Sequence, residues 1–362
     1  MSVTIKEIAR HTGLSIPTVG NILGRSASRY SADTRKRVLS AAQQLGYKPN
    51  ASARAIRQGR FGCAALVLSR SKQSTHSHIP VRLVDGLEEE LSLNDMHLTV
   101  SRLTDEELST NDFVPKVLRE HMADGMIVNY THEIPPRMLE LIHAHHTPAV
   151  WLNAKLKSDC VYPDDRGAAR SVTERLIALG HRRIALLHMV ARFPWQKDFA
   201  ESWAGRHYSV ADRARGYAEA MIGAGLSPRV FAHDRFISES EQLTECRALL
   251  IGPERPTAVL AYSEGEAQSL ICAAASLGLS IPKDLSVAVF APMSQWIAGQ
   301  HVTVAAVPTE QMGRAAVRML LQKLSAPDEE CAAEAIPYGL GDELNTIAPP
   351  PSEVSASAAR TV

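Results

Sequence analysis

The sequence predicts an all-α head of short helices joined to a larger α/β domain built on parallel sheets, and three observations predict it. Capped, amphipathic helical segments fill the first 48 residues. From Gly62 onward short apolar strands alternate with amphipathic helices, a pattern that puts helices on both faces of parallel sheets. The charge is also split. Residues 1–60 carry eleven Lys/Arg against Glu7 and Asp33, giving +9, and the rest of the 362-residue chain carries −9, so the net charge of zero hides a basic head on an acidic body.

The head is read element by element. Thr4-Ile5-Lys6-Glu7 has the pattern of a capping box and opens the first helix, with Ile5, Ile8 and Ala9 apolar. His11-Thr12-Gly13 supplies a tight turn. In "LSIPTVGNIL" Ser15 is the N-cap and Pro17 falls in the first turn, where a missing N–H costs little. Val19, Ile22 and Leu23 form its inner face, leaving Ile16, Pro17, Thr18 and Asn21 projecting elsewhere. Ser31 caps a third helix with Val38, Ala41, Ala42 and Leu45 inward and Gly46 as terminator. Two short helices joined at a glycine turn, plus a third, make a helix-turn-helix, whose second helix enters the major groove N-terminus first. Ile16, Pro17 and Asn21 then face base edges, with Asn21 suited to adenine and the two apolar residues to a thymine methyl. A three-helix subunit of an enzyme is the competing reading. The basic charge tips the balance toward DNA.

"GYKPNASARAIRQGR" (Gly46–Arg60), with "VTIKEIARHTGLSIPTVGNIL" and "YSADTRKRVLSAAQQLGY", resembles the head and hinge of the lactose-repressor (LacI/GalR) family of bacterial transcriptional regulators. The resemblance implies a hinge helix over residues 50–58 that folds on DNA, pairs with its dimer mate and inserts a wedge in the minor groove. Ile56 stands where the family carries leucine. It also implies phosphate contacts from Thr4, Ser15, Thr18, Arg29, Ser31, Thr34, Tyr47 and Asn50. Gly20 and Asn21 depart from the usual reading helix, so the operator is this chain's own.

In the body, strands are read at Ala64–Leu68, Leu98–Ser101, Gly125–Asn129, Ala149–Leu152, Arg183–Leu187, Ala258–Ala261 and Ser286–Phe290. Helices are read at Val81–Leu93, Asp112–Met122, Ala168–Leu179, Val210–Ala224 and Gly265–Leu277. "DDRGAARSVTERLIALGHRRIALL", "RARGYAEAM", "LSIPKDLSVAVF" and "VPTEQMGRAAVRMLLQKL" resemble the family's effector domain. That domain is similar to a periplasmic sugar-binding protein: two α/β lobes, three crossovers and a ligand in the cleft. The implied domains are a head at 1–60, an effector and dimerisation domain at 61–348, and a disordered tail at 349–362. The first lobe takes 61–161 and 292–324 and the second 162–291 and 325–348, with crossovers near Val161–Asp164, Ala291–Met293 and Gln322–Ala326.

The same resemblance places Ser69, Asn153, Arg213, Ser263, Glu264 and Ala291 at the effector. Ser263 and Glu264 replace the usual Asn-Asp, and Ala291-Pro292 replaces an Asp pair. A carboxylate there would bridge two sugar hydroxyls, so its absence puts an ordinary neutral hexose in doubt. The effector is expected to be a sugar or sugar-derived molecule, and an anionic one if the missing Asp reflects its charge. The stretch Ala191–Ser209 is longer than usual and aromatic-rich. Trp195 and Trp203 are either a lid over the ligand or packing for the insertion itself.

Other features narrow the classes. No apolar run approaches the ~20 residues of a membrane helix, and the N-terminus has no apolar signal core. Five scattered cysteines without CxxC argue against zinc and for buried thiols in a reducing cytoplasm. His143, His145 and His146 end a helix, where they complement its dipole rather than hold a metal. No phosphate-binding loop, nucleophile elbow or dinucleotide fingerprint follows a strand, so no enzyme and no cofactor are expected. The tail lacks apolar heptads, so a homodimer is expected. The whole reads as a cytoplasmic, effector-responsive regulator on a near-palindromic double-stranded operator, a repressor by family habit. An activator of the same fold is the alternative. A free-standing binding protein would leave the basic head unexplained.

Overall fold

The computed structural model describes residues 3–24, 29–48, 59–69, 80–103, 116–120, 122–129, 136–188, 207–232, 237–293, 296–340 and 345–351. The hinge region with Asn50 and Ile56, the tryptophans Trp195 and Trp203, and the tail beyond Pro351 lie outside them. The chain divides into two compact units, Met1–Gly62 and Cys63–Val362.

The first unit holds α1 (Ile5–Thr12), α2 (Ile16–Ile22) and α3 (Ala32–Gln44). Ile8, Ala9, Val19, Ile22, Val38, Ala41 and Ala42 are buried in one small core, with Leu14, Leu23 and Leu45 packed against it. The turn between α1 and α2 needs Gly13, whose φ of 69° is left-handed. Arg37 on α3 donates to the Thr12 carbonyl at 2.9 Å, satisfying the end of α1.

The second unit contains two six-stranded sheets. Its elements in order are β1 (Cys63–Ser69), α4 (Val81–Leu93), β2 (His97–Leu103), α5 (Lys116–Arg119), β3 (Gly125–Asn129), α6 (Pro136–Ala144), β4 (Ala149–Leu152) and β5 (Cys160–Pro163). Then come α7 (Asp165–Ala178), β6 (Ile184–His188), α8 (Tyr208–Gly223), β7 (Val230–Ala232), α9 (Glu239–Leu249), β8 (Ala258–Ala261), α10 (Glu264–Ser276) and β9 (Ser286–Ala291). The chain closes with the hairpin β10 (Trp296–Ile297) and β11 (Gln300–His301), then β12 (Thr303–Ala306), α11 (Thr309–Ser325), β13 (Glu334–Ile336) and β14 (Gly339–Leu340). The sheet orders are β13-β5-β4-β3-β1-β2 and β14-β12-β9-β8-β6-β7, parallel except for β14. Fully buried strands such as Gly125–Asn129 and Ser286–Ala291 carry apolar residues on both sides because helices cover both faces.

The sheet pairings redraw the lobe boundaries. Thr303–Ala306 pairs with Ala288–Ala291, so residues 296–306 belong to the second lobe, not to a first-lobe segment beginning at 292. The hairpin explains it: Ala298 and Gly299, at φ 46° and 80°, turn the chain back beside the strand it has just left. Glu334–Ile336 pairs with Val161–Pro163, so residues 334–336 belong to the first lobe rather than the second. The crossings therefore lie at 163–165, 306–309 and 336–339. The first and third are joined, with the Asp164 N–H donating to the Ile336 carbonyl at 2.8 Å.

Glycines set the helix pairs. A Cβ on Gly86 would lie 2.1 Å from the Glu310 carbonyl oxygen, so α4 and α11 touch backbone to backbone. Gly216 does the same for α8 on α7, 2.0 Å from the Arg166 carbonyl oxygen. His181 fastens the last described segment: its Nδ1 pairs with Thr257 Oγ1 at 2.9 Å and its Nε2 with the Ala348 carbonyl at 2.8 Å.

Candidate functional site

In the head, the tip of α2 is preorganised. Ser15 Oγ accepts from the Thr18 N–H at 3.2 Å, and Pro17 occupies the first turn. Ile16, Pro17 and Asn21 are exposed, Ile16 by 50 %, so they stand outside the small core of the head. Asn21 Nδ2 donates to Tyr30 Oη at 3.0 Å, leaving its amide oxygen and one N–H for another partner. Thr4 and Glu7 form the capping box, and their bonds hold the Glu7 carboxyl below its ordinary value. Ser31 caps α3 through the Thr34 N–H at 3.3 Å. Thr4, Ser15, Arg29 and Ser31 are exposed, and Thr18, Thr34 and Tyr47 half-buried. Polar groups and helix N-termini on one small unit suit the phosphates of a duplex.

In the second unit the residues of interest stand at the C-terminal ends of parallel strands, where ligands bind in open α/β sheets. Ser69 ends β1, Asn153 follows β4, Asp165 follows β5, Tyr262 follows β8 and Ala291 ends β9. Asn153 takes a left-handed backbone, φ 57°, and accepts twice from the other lobe. Tyr208 Oη donates to its Oδ1 at 3.2 Å, and its carbonyl lies 2.9 Å from His207 Nε2. Beside them Lys155 pairs with the nearly buried Asp212 at 2.6 Å.

Arg213 is not the open cation that the sequence reading expects. Its side chain is buried, its Nε donates to Asp165 Oδ1 at 2.6 Å, and its other two nitrogens donate to the Tyr262 carbonyl and Tyr338 Oη, each at 3.0 Å. The guanidinium lies between the Tyr262 and Phe290 rings, 4.4 and 4.2 Å from their centroids. Tyr338 Oη also donates to Asp165 Oδ1 at 2.7 Å. Burial raises the phenol pKa values of Tyr208, Tyr262 and Tyr338, so all three stay neutral donors. With Asp165 beside it, Arg213 carries no uncompensated charge, which removes the cation that an anionic ligand would need from it.

The remaining expected contacts divide. Ser263 is the N-cap of α10, in a capping box with Glu266, and Glu264 next to it is exposed. Ala291 is buried at the end of β9, beside Phe290. Asp165, Tyr262, Tyr338, Tyr208 and His207 escaped sequence reading. The doubled acid in "PDDRG" directly after a strand was the one signal available. Of the cysteines, Cys63, Cys160 and Cys246 are buried but Cys272 is exposed, against the expectation of buried thiols. Burial pushes the Cys246 thiol up to about 12. Among the described residues no cluster of His, Cys, Asp or Glu could hold a metal, and no helix is long and apolar enough to cross a membrane.

Residues 4–50 match the profile of bacterial regulatory proteins of the lacI family, and residues 173–340 that of a periplasmic binding protein-like domain. The chain carries a lacI-family helix-turn-helix head and a periplasmic binding protein-like domain. It is a DNA-binding transcriptional regulator carrying an effector-type domain. The regulator is 28 % identical to the HTH-type transcriptional regulator RegA of Clostridium saccharobutylicum, over 96 % of this chain and 100 % of that one. In fold it is similar to a lac repressor dimer bound to operator and the anti-inducer ONPF, with TM-score 0.72 and 20 % identity, covering 96 % of this chain and all of that one. It is also similar to the transcriptional regulator CelR in complex with cellobiose, with TM-score 0.62 and 22 % identity, covering 95 % and 99 %.

Proposed function

We propose that this regulator is a cytoplasmic, homodimeric repressor that binds a near-palindromic double-stranded operator and changes its operator affinity when a small sugar-like effector enters the interlobe cleft. It is a binding protein, not an enzyme. The observation that carries the reading is the capped, Pro-stiffened tip of α2, which presents Ile16, Pro17 and Asn21 outward from a head of charge +9. A lac repressor bound to operator and a regulator bound to cellobiose, both of the same fold, support operator and sugar respectively. Ile16, Pro17, Asn21 and Ile56 read bases. Thr4, Ser15, Thr18, Arg29, Ser31, Thr34, Tyr47 and Asn50 hold phosphates. The residue-50–58 hinge orders on DNA and couples it to the cleft, because ligand and operator bias the same lobe arrangement.

Selection of duplexes from a random library by the full chain tests it. Enrichment of one two-fold-symmetric sequence supports the reading, and retention of duplexes without any shared sequence sinks it.

A further inference from the structure

We propose that Tyr30 is a positioning residue for base reading: its phenol holds the Asn21 amide with one acceptor and one donor free, and the base selected is adenine. The inference rests on the reading of α2 as the DNA-reading helix. It adds a residue from outside that helix and commits the position to one base.

Asn21 is the second-last residue of α2 and is exposed. It lies four residues past Pro17, so the two share a helix face. An exposed side chain there has rotamer freedom to lose when it meets a base. Tyr30 removes that freedom beforehand. Its residue packs against the head core that includes Ile8, Val19 and Val38. The next residue, Ser31, is fixed as the N-cap of α3 by accepting from the Thr34 N–H at 3.3 Å. From this anchored position Tyr30 Oη accepts from Asn21 Nδ2 at 3.0 Å, across nine positions of sequence.

The direction of the bond decides what α2 can offer. With Nδ2 donating to the phenol, Asn21 keeps Oδ1 and its second N–H. One acceptor and one donor on the same amide match N6–H and N7 of adenine. Had the phenol donated to Oδ1, two N–H groups would remain, the pattern that suits N7 and O6 of guanine. A side chain already held in its binding rotamer pays less ordering cost, and the gain goes to the base that matches it. Tyr30 acts only through Asn21.

The test uses the full chain, the operator selected from a random library and the set of its single base-pair changes, with affinities from fluorescence anisotropy. Asn21→Ala identifies the pair that Asn21 reads, by the preference lost there, and that pair should be A·T. Tyr30→Phe keeps the ring on the core and should cut the preference at that pair roughly three- to tenfold, the net worth of one hydrogen bond. Preferences at other pairs and affinity for random duplex should stay within about twofold, and Tyr30→Phe should add nothing to Asn21→Ala at that pair. Should Tyr30→Phe fail to fold, a crystal structure of the unaltered chain on its operator decides, by whether Tyr30 Oη still bonds Asn21 Nδ2 while Asn21 contacts adenine. A G·C pair at that position, an unchanged preference in Tyr30→Phe, equal loss on every duplex, or additive losses in the double variant overturns the inference. So does an Asn21→Ala variant that loses no base preference. In all of these the selected operator still stands, whereas failure to enrich any shared sequence removes the DNA-reading helix itself.

Discussion

Replacing Arg213 by methionine probes the ion pair at the base of the cleft. Methionine keeps an unbranched apolar stem between the Tyr262 and Phe290 rings but withdraws the guanidinium from Asp165, the Tyr262 carbonyl and Tyr338. Asp165, whose side chain has no exposure, then keeps one donor, Tyr338 Oη. Removing one partner of a buried pair costs about 3–5 kcal/mol, because the other charge stays behind uncompensated. At roughly 2–4 °C per kcal/mol for domains of this order of size, the unfolding temperature should fall by roughly 6–20 °C. Adding Asp165→Asn removes the stranded charge, so the double variant should be more stable than the two single losses added together, by about 1 kcal/mol or more. Circular dichroism melts and urea titrations of the four proteins measure all of this. A loss below about 1 kcal/mol in Arg213→Met, or strict additivity in the double variant, would refute the idea that Arg213 is locked in a buried pair.

Gly86→Ala forces a Cβ to 2.1 Å from the Glu310 carbonyl oxygen, so α4 and α11 must separate. The expected loss is about 1–3 kcal/mol or more in urea titrations, against near-neutrality for Gly223→Ala, where nothing lies within 4 Å. Burial holds the His181 imidazole below its ordinary value of 6.5. The unfolded chain therefore takes up a proton that the folded chain resists, so stability should decline as pH falls below 6.5 and the slope should flatten in His181→Gln. Asn21→Ala should cost roughly 1–3 kcal/mol on the selected operator and far less on random duplex, measured by fluorescence anisotropy. Equal losses would make Asn21 a backbone contact, or a prop for Tyr30.

Much of the fold was legible because its signals are local. The Ser15 and Ser31 caps, the Thr4–Glu7 box and the Gly13 turn are read within four residues, and apolar runs such as Gly125–Asn129 announce buried strands. The lobe boundaries were not legible. Thr303–Ala306 and Glu334–Ile336 are short strands whose sheet depends on partners more than ten residues distant, and no local propensity chooses between sheets. The cleft divided in the same way. Arg213 and Asn153 could be placed by resemblance, but their partners Asp165, Tyr338 and Tyr208 lie 48, 125 and 55 residues away. The charge of Arg213 looked available in sequence and is neutralised in space.

If one cleft and one DNA-reading head share an equilibrium, the effect of ligand on operator and of operator on ligand must be reciprocal. A small molecule that raises the unfolding temperature should be titrated into the full chain with and without saturating selected operator, and operator affinity measured with and without the molecule. Both affinities should change by the same factor, on the order of 5–150-fold, because a coupling free energy has no direction. Ligand affinity indifferent to operator, together with operator affinity indifferent to ligand, would contradict it.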